Sequence, residues 1–317
     1  ATLTIANVDD GQSETVDVLF KDVKNRTTDN GGAIYADHAI VTISNNGDIA
    51  FSGNYASDDS SDGDSPDGGA IYAKYCDVTI SNNGDVSFSG NYASGYDSEG
   101  GAIYSDYDVT ISNNGAVSFS GNYANYEGGA IYADEGLTIS NNGDVSFSVN
   151  YASGDYSHGG AIYASDCDVT ISNNGAVSFS GNYASGDYSR GGAIYSDYDV
   201  TISNNGDVSF SGNYANFTGG AIYASDCDVT ISDNGDVSFS GNYAEYGGAI
   251  DAGGGLTISN NGDVSFSGNY AAYGGAIDAG GGLTISNNGD VSFSGNYAAY
   301  GGAIDAGGGL TISNNGD

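Results

Sequence analysis

One four-residue string, Gly-Gly-Ala-Ile, recurs ten times along the 317 residues and sets the period of the fold. A second string, Phe-Ser-Gly-Asn, follows nine of the ten copies after 19 or 20 residues, with Val149 replacing the Gly once. A repeat of this kind is typical of a solenoid, in which each unit packs only on its neighbours. The ten copies begin at Gly31, Gly68, Gly100, Gly128, Gly159, Gly191, Gly219, Gly247, Gly274 and Gly301.

Inside each unit the hydrophobic pattern has a period of two, which predicts β-strands. Three short strands per unit are expected, around the strings GAIY, VTIS and VSFS, and Gly- or Asn-rich corners such as SNNGD separate them. Units of this size cannot bury an apolar face alone, so the sequence predicts an all-β, right-handed parallel β-helix of about ten rungs, roughly 27–32 residues each. The predicted inward columns begin at Ile34, Val41, Ile43, Ile49 and Phe51.

The repeat also divides the chain. Residues 1–30 fit it poorly, because Phe20 stands where a rung places its Phe but Val23 stands where Asn belongs; they are predicted to be a degenerate first rung or an N-terminal cap. Residues 31–317 are predicted to be the array, which stops inside a repeat without a cap. Residues 247–273 and 274–300 are identical, so one rung can stack on another. We therefore expect the array to continue beyond Asp317 or to dock on another subunit.

The charge balance restricts the partners. Acidic side chains outnumber basic ones 41 to 5, which gives a formal net charge of −36. Such a surface repels nucleic-acid phosphates and anionic membranes. No apolar run of membrane-spanning length is present either, so no direct membrane insertion of this chain is expected. Divalent cations and water suit this surface better.

Gly-Gly-Ala-Ile alternating with Phe-x-x-Asn resembles the passenger repeats of chlamydial polymorphic outer membrane proteins and of other large microbial surface proteins, over about residues 31–317. The resemblance implies a secreted, surface-displayed parallel β-helix with adhesion as its usual role. This array is more regular than a typical passenger, and near-identical rungs are more typical of a scaffold than of a tailored receptor site.

Acidic residues form a predicted column after the Asn-Gly corner. Carboxylates stacked about 5 Å apart repel one another, and Ca²⁺ would relieve the repulsion. The alternative is a solvated acidic face without metal. The column comprises Asp48, Asp85, Asp144, Asp207, Asp236, Asp263, Asp290 and Asp317, with Ala116 and Ala176 as exceptions. A second candidate is the corner insertion in which Asp58, Ser60, Asp62 and Asp64 have the early ligand spacing of a calcium loop, although its closing acid is replaced by Gly69.

Tyrosines form two further columns. Outward aromatic columns could stack on sugars or seal a contact with another rod, and the alternative is ring stacking within the chain. One column comprises Tyr55, Tyr92, Tyr123, Tyr151, Tyr183, Tyr214, Tyr243, Tyr270 and Tyr297. The other comprises Tyr35, Tyr72, Tyr104, Tyr132, Tyr163, Tyr195 and Tyr223.

The three cysteines, Cys76, Cys167 and Cys227, occupy matching positions in the second, fifth and seventh rungs. Their expected separations of about 14 and 10 Å exceed the roughly 7 Å that a disulfide can bridge. No disulfide within the chain is therefore expected, and the thiols are either buried and inert or available for cross-links between chains.

Catalysis is not expected. Parallel β-helix enzymes that cleave polysaccharides need a positioned cationic base or clustered acids beside His. The array offers only His38, Lys74, His158 and Arg190, in four different rungs. Every acid column, by contrast, repeats from rung to rung without a singular partner.

The sequence therefore predicts an extracellular, cell-surface, non-enzymatic protein that forms or extends a filament, sheath or stalk by end-to-end or lateral self-association. The competing hypothesis is an adhesin passenger that binds a host, a neighbouring cell or a glycan through its variable corner loops. Those loops lie between Asn54 and Gly68, Asn91 and Gly100, Asn150 and Gly159, and Asn182 and Gly191.

Overall fold

The computed structural model describes residues 2–6, 17–21, 23–25, 30–57 and 65–316. Within these ranges the chain forms short strands joined by turns, without an α-helix, and every strand pairs in parallel with its equivalent one rung away. The predicted all-β parallel solenoid is thus confirmed. No helix in the described ranges has the length and hydropathy needed to cross a membrane.

Three long sheets follow the three predicted strands. The Thr-Ile-Ser sheet contains Thr2–Ala6, Ile40–Ser44, Val78–Ser81, Asp108–Ser112, Gly136–Ser140, Val169–Ser172, Val200–Ser203, Val229–Ser232, Leu256–Ser259, Leu283–Ser286 and Leu310–Ser313. The phenylalanine sheet contains Val18–Lys21, Ile49–Ser52, Val86–Ser89, Val117–Ser120, Val145–Ser148, Val177–Ser180, Val208–Ser211, Val237–Ser240, Val264–Ser267 and Val291–Ser294. The isoleucine sheet contains Ile34–Asp37, Ile71–Lys74, Ile103–Ser105, Ile131–Ala133, Ile162–Ala164, Ile194–Ser196, Ile222–Ala224, Ile250–Ala252, Ile277–Ala279 and Ile304–Ala306.

A fourth, shorter sheet was not predicted. Its strands are only two or three residues long, so no alternation of polar and apolar residues could reveal them. This tyrosine sheet contains Lys24–Asn25, Tyr55–Ser57, Tyr92–Ser94, Tyr123–Ala124, Tyr151–Ala152, Tyr183–Ala184 and Tyr214–Ala215.

The core is a set of in-register columns of like residues. The predicted inward residues Ile34, Val41, Ile43, Ile49 and Phe51 are all buried, as expected from their alternation. Each pairs with its equivalent in the next rung, and the Phe51 and Phe88 rings stack with centroids 4.8 Å apart and planes 1° from parallel. The same contact repeats along the rod, so one rung pattern specifies the whole core.

Two asparagine columns hold the corners together. The second Asn of the Asn-Asn-Gly corner is buried from Asn46 to Asn288, and the Asn83 Oδ1 accepts hydrogen bonds from both the backbone N–H and the Nδ2 of Asn46, each at 3.0 Å. The Asn of Phe-Ser-Gly-Asn does the same, with Asn54 donating to Asn91. Each side chain amide thereby satisfies buried backbone groups of its neighbours.

The described N-terminal strands extend three of the sheets. Thr2–Ala6, Val18–Lys21 and Lys24–Asn25 pair with the strands of the first Gly-Gly rung, and the Phe20 ring stacks 4.7 Å from that of Phe51. The assignment of residues 1–30 as a degenerate rung or cap stays a prediction, because many of these residues lie outside the described ranges.

Candidate functional site

The variable segment between the Asn of Phe-Ser-Gly-Asn and the next Gly-Gly, which we call the loop corner, carries most of the differences between rungs. The first residue of each loop corner is a tyrosine of the first tyrosine column. From Tyr55 to Tyr297 successive ring centroids are 4.3 to 5.9 Å apart, with planes 4° to 17° from parallel. The second column, from Tyr35 to Tyr223, stacks at 4.8 to 5.4 Å. The faces of interior rings are therefore covered by neighbouring rings, which leaves edges and hydroxyls outward.

The last residue of each loop corner belongs to a column whose chemical type varies from rung to rung. The residue before each Gly-Gly belongs to a series that we call the pre-glycine column, and from Glu99 onward each member forms a parallel bridge with its equivalent in the next rung. Unlike the other columns, it changes chemical type along the rod. It comprises Asn30, Asp67, Glu99, Glu127, His158, Arg190, Thr218, Tyr246, Tyr273 and Tyr300.

The acidic members of the pre-glycine column have strongly raised pKa values. Burial, opposed by a hydrogen bond from the Glu99 backbone, raises the pKa of Asp67 to about 7. Burial and then the charge of Glu127 raise the pKa of Glu99 to about 9, and burial and then the charge of Asp197 raise that of Glu127 to about 8. Near neutral pH the carboxyls of Glu99 and Glu127 are therefore largely protonated, whereas that of Asp67 is about half ionised.

The two basic members lie in neighbouring rungs. The His158 ring stacks 4.7 Å from that of Tyr195, and the Arg190 guanidinium lies 5.4 Å from the Tyr223 centroid and 5.7 Å from that of Phe217. Burial and then the Arg190 charge lower the pKa of His158 to about 4, so this imidazole is neutral at pH 7. Both side chains have aromatic stacking partners, a structural role that the sequence analysis did not assign to them.

From Asp48 to Asp263, each carboxylate of the acidic column after the Asn-Gly corner accepts a hydrogen bond from a backbone N–H of the next rung. The Asp85 N–H donates to the Asp48 Oδ1 at 2.9 Å, and the Ala116 N–H donates to the Asp85 Oδ1 at 2.8 Å. Equivalent bonds recur farther on, for example from Asp290 to Asp263 at 2.9 Å. The carboxylates therefore tie adjacent corners together while staying exposed to solvent.

The calcium hypothesis stays a prediction. Asp58, Ser60, Asp62 and Asp64 lie outside the described residues. In the ranges that are described, no group of three or more His, Cys, Asp or Glu side chains is placed to hold a metal ion. The Asp column therefore presents one carboxylate per rung, not a preassembled multidentate site.

Comparison with known families matches seven segments to the Chlamydia polymorphic membrane protein (PMP) repeat: residues 48–74, 85–106, 116–134, 207–225, 236–253, 263–280 and 290–307. Each segment runs from the residue after the Asn-Gly corner, through the phenylalanine strand and the loop corner, to the isoleucine strand. The β-helix therefore contains repeats of the PMP type. No curated protein and no solved structure matches it. The repeat family and the solenoid together indicate a surface or autotransporter-passenger type of protein.

Two loop corners of this PMP-type array, residues 151–158 and 183–190, lie outside the matched segments. Both contain a tyrosine in the left-handed region, Tyr156 at φ 62° and Tyr188 at φ 59°, and their rings stack 5.4 Å apart. These side chains are 56% and 54% exposed. An aromatic residue with positive φ is uncommon, and such strain concentrates at functional sites.

The three thiols are all free, and two of them lie inside the PMP-type rod. Cys76 and Cys167 are buried, with Sγ 3.9 and 3.6 Å from the carbonyl oxygens of Ala36 and Ala133. Burial raises the pKa of the Cys167 thiol to about 12. These two positions favour the buried, inert alternative, whereas Cys227 is half-buried and is the better placed for a cross-link between chains. The cross-link itself stays a prediction.

Sequence reasoning missed the pre-glycine column as a unit. His158 and Arg190 were considered only as scarce bases, and Glu99 and Glu127 were not singled out. Its position could have revealed the column, because the residue before Gly-Gly varies from acid to base to aromatic while the Gly-Gly that follows is constant.

Proposed function

We propose that this β-helix is an extracellular, non-enzymatic structural rod that forms or extends a filament, sheath or stalk at the cell surface by associating with further copies of itself. The observation that carries the proposal is the uniform pairing of equivalent residues. Leu256 pairs with Leu283 and Leu283 pairs with Leu310, so successive rungs present the same side chains to each other. A rung from a second copy would find the same complementary surface.

The proposal is tested on the purified chain by electron microscopy and sedimentation over a range of concentrations. Ile312 and Thr311 are exposed neighbours on the strand Leu310–Ser313, and by the alternation seen in equivalent strands Ile312 belongs to the inward column. If rungs of different copies stack there, Ile312→Asp abolishes filaments because it places a charge in the shared core, whereas Thr311→Asp, on the outer face, preserves them. Wild-type rods that stay single at every concentration would refute self-association.

A second candidate function, an adhesin passenger, is favoured by the loop corners that carry Tyr156 and Tyr188. Their conformation is held by the Tyr156 N–H, which donates to the Asp187 carbonyl at 2.8 Å, and by the Ser189 Oγ, which donates to the Ala184 carbonyl at 2.6 Å. A rigid, exposed aromatic pair is a suitable anchor for a partner. Tyr156→Asn with Tyr188→Asn tolerates positive φ and removes both rings. Binding to whole cells or to a glycan array should fall in this variant if the loops carry adhesion, while the melting temperature stays near that of the wild type.

A further inference from the structure

An open trough follows the loop corner of the last rungs. It encloses about 410 Å³, and its walls include Asn216, Tyr243, Glu245, Tyr270 and Tyr297, with alanines between them. A second hollow of about 250 Å³ shares Asn216 and Glu245 with it and adds Asp187, Tyr188 and Phe217. The two hollows thus adjoin and lie along several consecutive rungs.

The rungs that line the trough have short loop corners, and these lack the serine found in several earlier rungs. In several earlier rungs a serine lies two residues after the tyrosine of the first column, and its hydroxyl bonds the column tyrosine of the preceding rung. The Ser94 Oγ donates to the Tyr55 Oη at 3.1 Å, and the Ser185 Oγ donates to the Tyr151 Oη at 3.1 Å. In the last two rungs the equivalent residues are Ala272 and Ala299. Replacement of the hydroxyl by a methyl group removes this partner.

The result is a row of phenol groups that lack an intrachain partner. Tyr243, Tyr270 and Tyr297 are 39%, 46% and 59% exposed, and among the described residues their hydroxyls have no hydrogen-bond partner. Their ring centroids are spaced 5.2 and 5.0 Å apart, so the hydroxyls repeat at the rung spacing. A phenol both donates and accepts, and the Glu245 carboxylate and Asn216 amide add an acceptor and an amide group at one end.

We propose that this trough binds an extended, neutral polysaccharide of β-1,4-linked hexoses, with about one sugar per rung. Each hexose of such a chain advances by nearly the spacing of the tyrosines, so successive sugar hydroxyls can meet successive phenols. The net charge of −36 and the carboxylates of Glu245 and Asp187 exclude sulfated or uronic-acid chains. Because the interior ring faces are covered, recognition uses ring edges and hydroxyls rather than sugar stacking.

The alternative ligand of an acidic and aromatic surface is a cationic peptide, and the geometry favours the sugar. The Arg190 guanidinium already lies 5.7 Å from the centroid of Phe217, one of the residues that line the adjoining hollow. A cation placed there would be repelled by it, whereas a neutral sugar would not.

The test is titration calorimetry of the full chain with cellohexaose and with chitohexaose. Wild type should bind at least one of them, and polygalacturonate should not bind. Tyr243→Phe with Tyr270→Phe removes two hydroxyls but keeps both rings, and should weaken binding by about tenfold or more, since each hydrogen bond contributes roughly threefold to tenfold. Tyr151→Phe removes a hydroxyl that Ser185 already engages, outside the trough, and should bind as wild type.

A second pair of variants restores the arrangement of the earlier rungs. Ala272→Ser and Ala299→Ser should supply hydroxyl partners to Tyr243 and Tyr270, and should weaken binding without loss of folding, which circular dichroism would verify. The proposal would be overturned by no binding of either oligosaccharide to the wild type, or by binding that is unchanged in the double Phe variant. Tighter binding of hexa-arginine than of both sugars would also overturn it, in favour of a cationic ligand.

Discussion

Two regions of the rod share one core and differ at one corner. In residues 68–218 the loop corners vary in length and the pre-glycine column passes from acids to bases, whereas in residues 247–316 the rungs repeat and the corner contracts to Tyr-Ala-Ala-Tyr. Even so, the ring centroids of the inward phenylalanines are 4.8 Å apart in the varied region and 4.9 Å apart in the uniform one. Sequence variation at the loop corner therefore leaves the inter-rung geometry unchanged, as expected for a solenoid whose loops project from one side.

The largest expected effect tests whether the core is the same in both regions. Phe119→Ala in the varied region and Phe266→Ala in the uniform one should each lower the free energy of unfolding by about 3–5 kcal/mol, because each ring is fully buried between two others. Chemical denaturation measures both. Phe217→Ala, at the partly exposed loop corner, is the control and should cost less.

A large difference between the two core variants would contradict the idea of one shared core. It would mean that the loop corner of the varied region also supports the packing beneath it. Calorimetry of the same variants would then show which half of the rod unfolds first.

A smaller effect concerns the rung that departs from Phe-Ser-Gly-Asn. Val149 lies at φ 55°, where Gly121 and Gly181 of the adjoining rungs have φ 61° and 59°, and its side chain is 67% exposed. The left-handed conformation costs a residue with a Cβ about 1–2 kcal/mol, and exposure returns little burial energy. Val149→Gly should therefore stabilise the rod by about that amount in thermal or chemical unfolding. Gly181→Val, the reciprocal change one rung away, should destabilise it similarly, and a stabilising Gly181→Val would show that the left-handed position carries no strain.

The sequence predicts the core sheets well, but it does not predict several features of the corners. Three sheets and their inward columns were predictable, because VTIS and VSFS alternate and like residues recur at a fixed period. The tyrosine sheet was not, since its two- and three-residue strands are too short to show a pattern. The hydrogen bond that the Asp48 carboxylate accepts from the backbone of the next rung was also missed, because a column of repeated carboxylates is as consistent with metal binding as with a backbone acceptor. The raised pKa values of Glu99 and Glu127 depend on burial, which only the folded loop corner supplies.

The pH dependence of stability should separate the two regions. The folded pKa of Glu99 is raised from 4.5 to about 9, mainly by burial, and that of Asp251 in the uniform region from 3.8 to about 7, by burial and then by Asp278. A carboxyl with a raised folded pKa contributes stability that is complete below its unfolded pKa and is lost as the pH rises through the folded value. The melting temperature of the wild type should therefore decline as the pH rises, up to about pH 9.

Two isosteric variants locate that decline. Glu99→Gln should flatten the decline up to about pH 9, and Asp251→Asn should flatten only the part up to about pH 7, since each amide stays neutral. Melting curves at a series of pH values measure both. Profiles of both variants that are parallel to that of the wild type would show that neither carboxyl is protonated in the fold.

The smallest expected effect concerns the exposed Asp column, which Ala116 and Ala176 interrupt in the varied region but nothing interrupts from Asp207 to Asp290. The Asp263 Oδ1 accepts the Asp290 N–H at 2.9 Å, a bond that an amide oxygen can also accept. Asp263→Asn should thus change the free energy of unfolding by less than about 0.5 kcal/mol. Asp263→Ala, which removes the acceptor, should cost about 1 kcal/mol.

Calcium binding would change the result expected for Asp263→Asn. If the uninterrupted run binds Ca²⁺, a chelator lowers the melting temperature of the wild type, because a ligand held only by the folded state stabilises it. Asp263→Asn then loses much of that response, since it removes one of the charges that attract the ion. If the carboxylates serve only as backbone acceptors, the melt is insensitive to chelator in both proteins and Asp263→Asn slightly relieves repulsion between stacked charges. The chelator response of the wild type, compared with that of Asp263→Asn, therefore decides whether the uniform region is a metal ladder or an acidic face held by its own backbone.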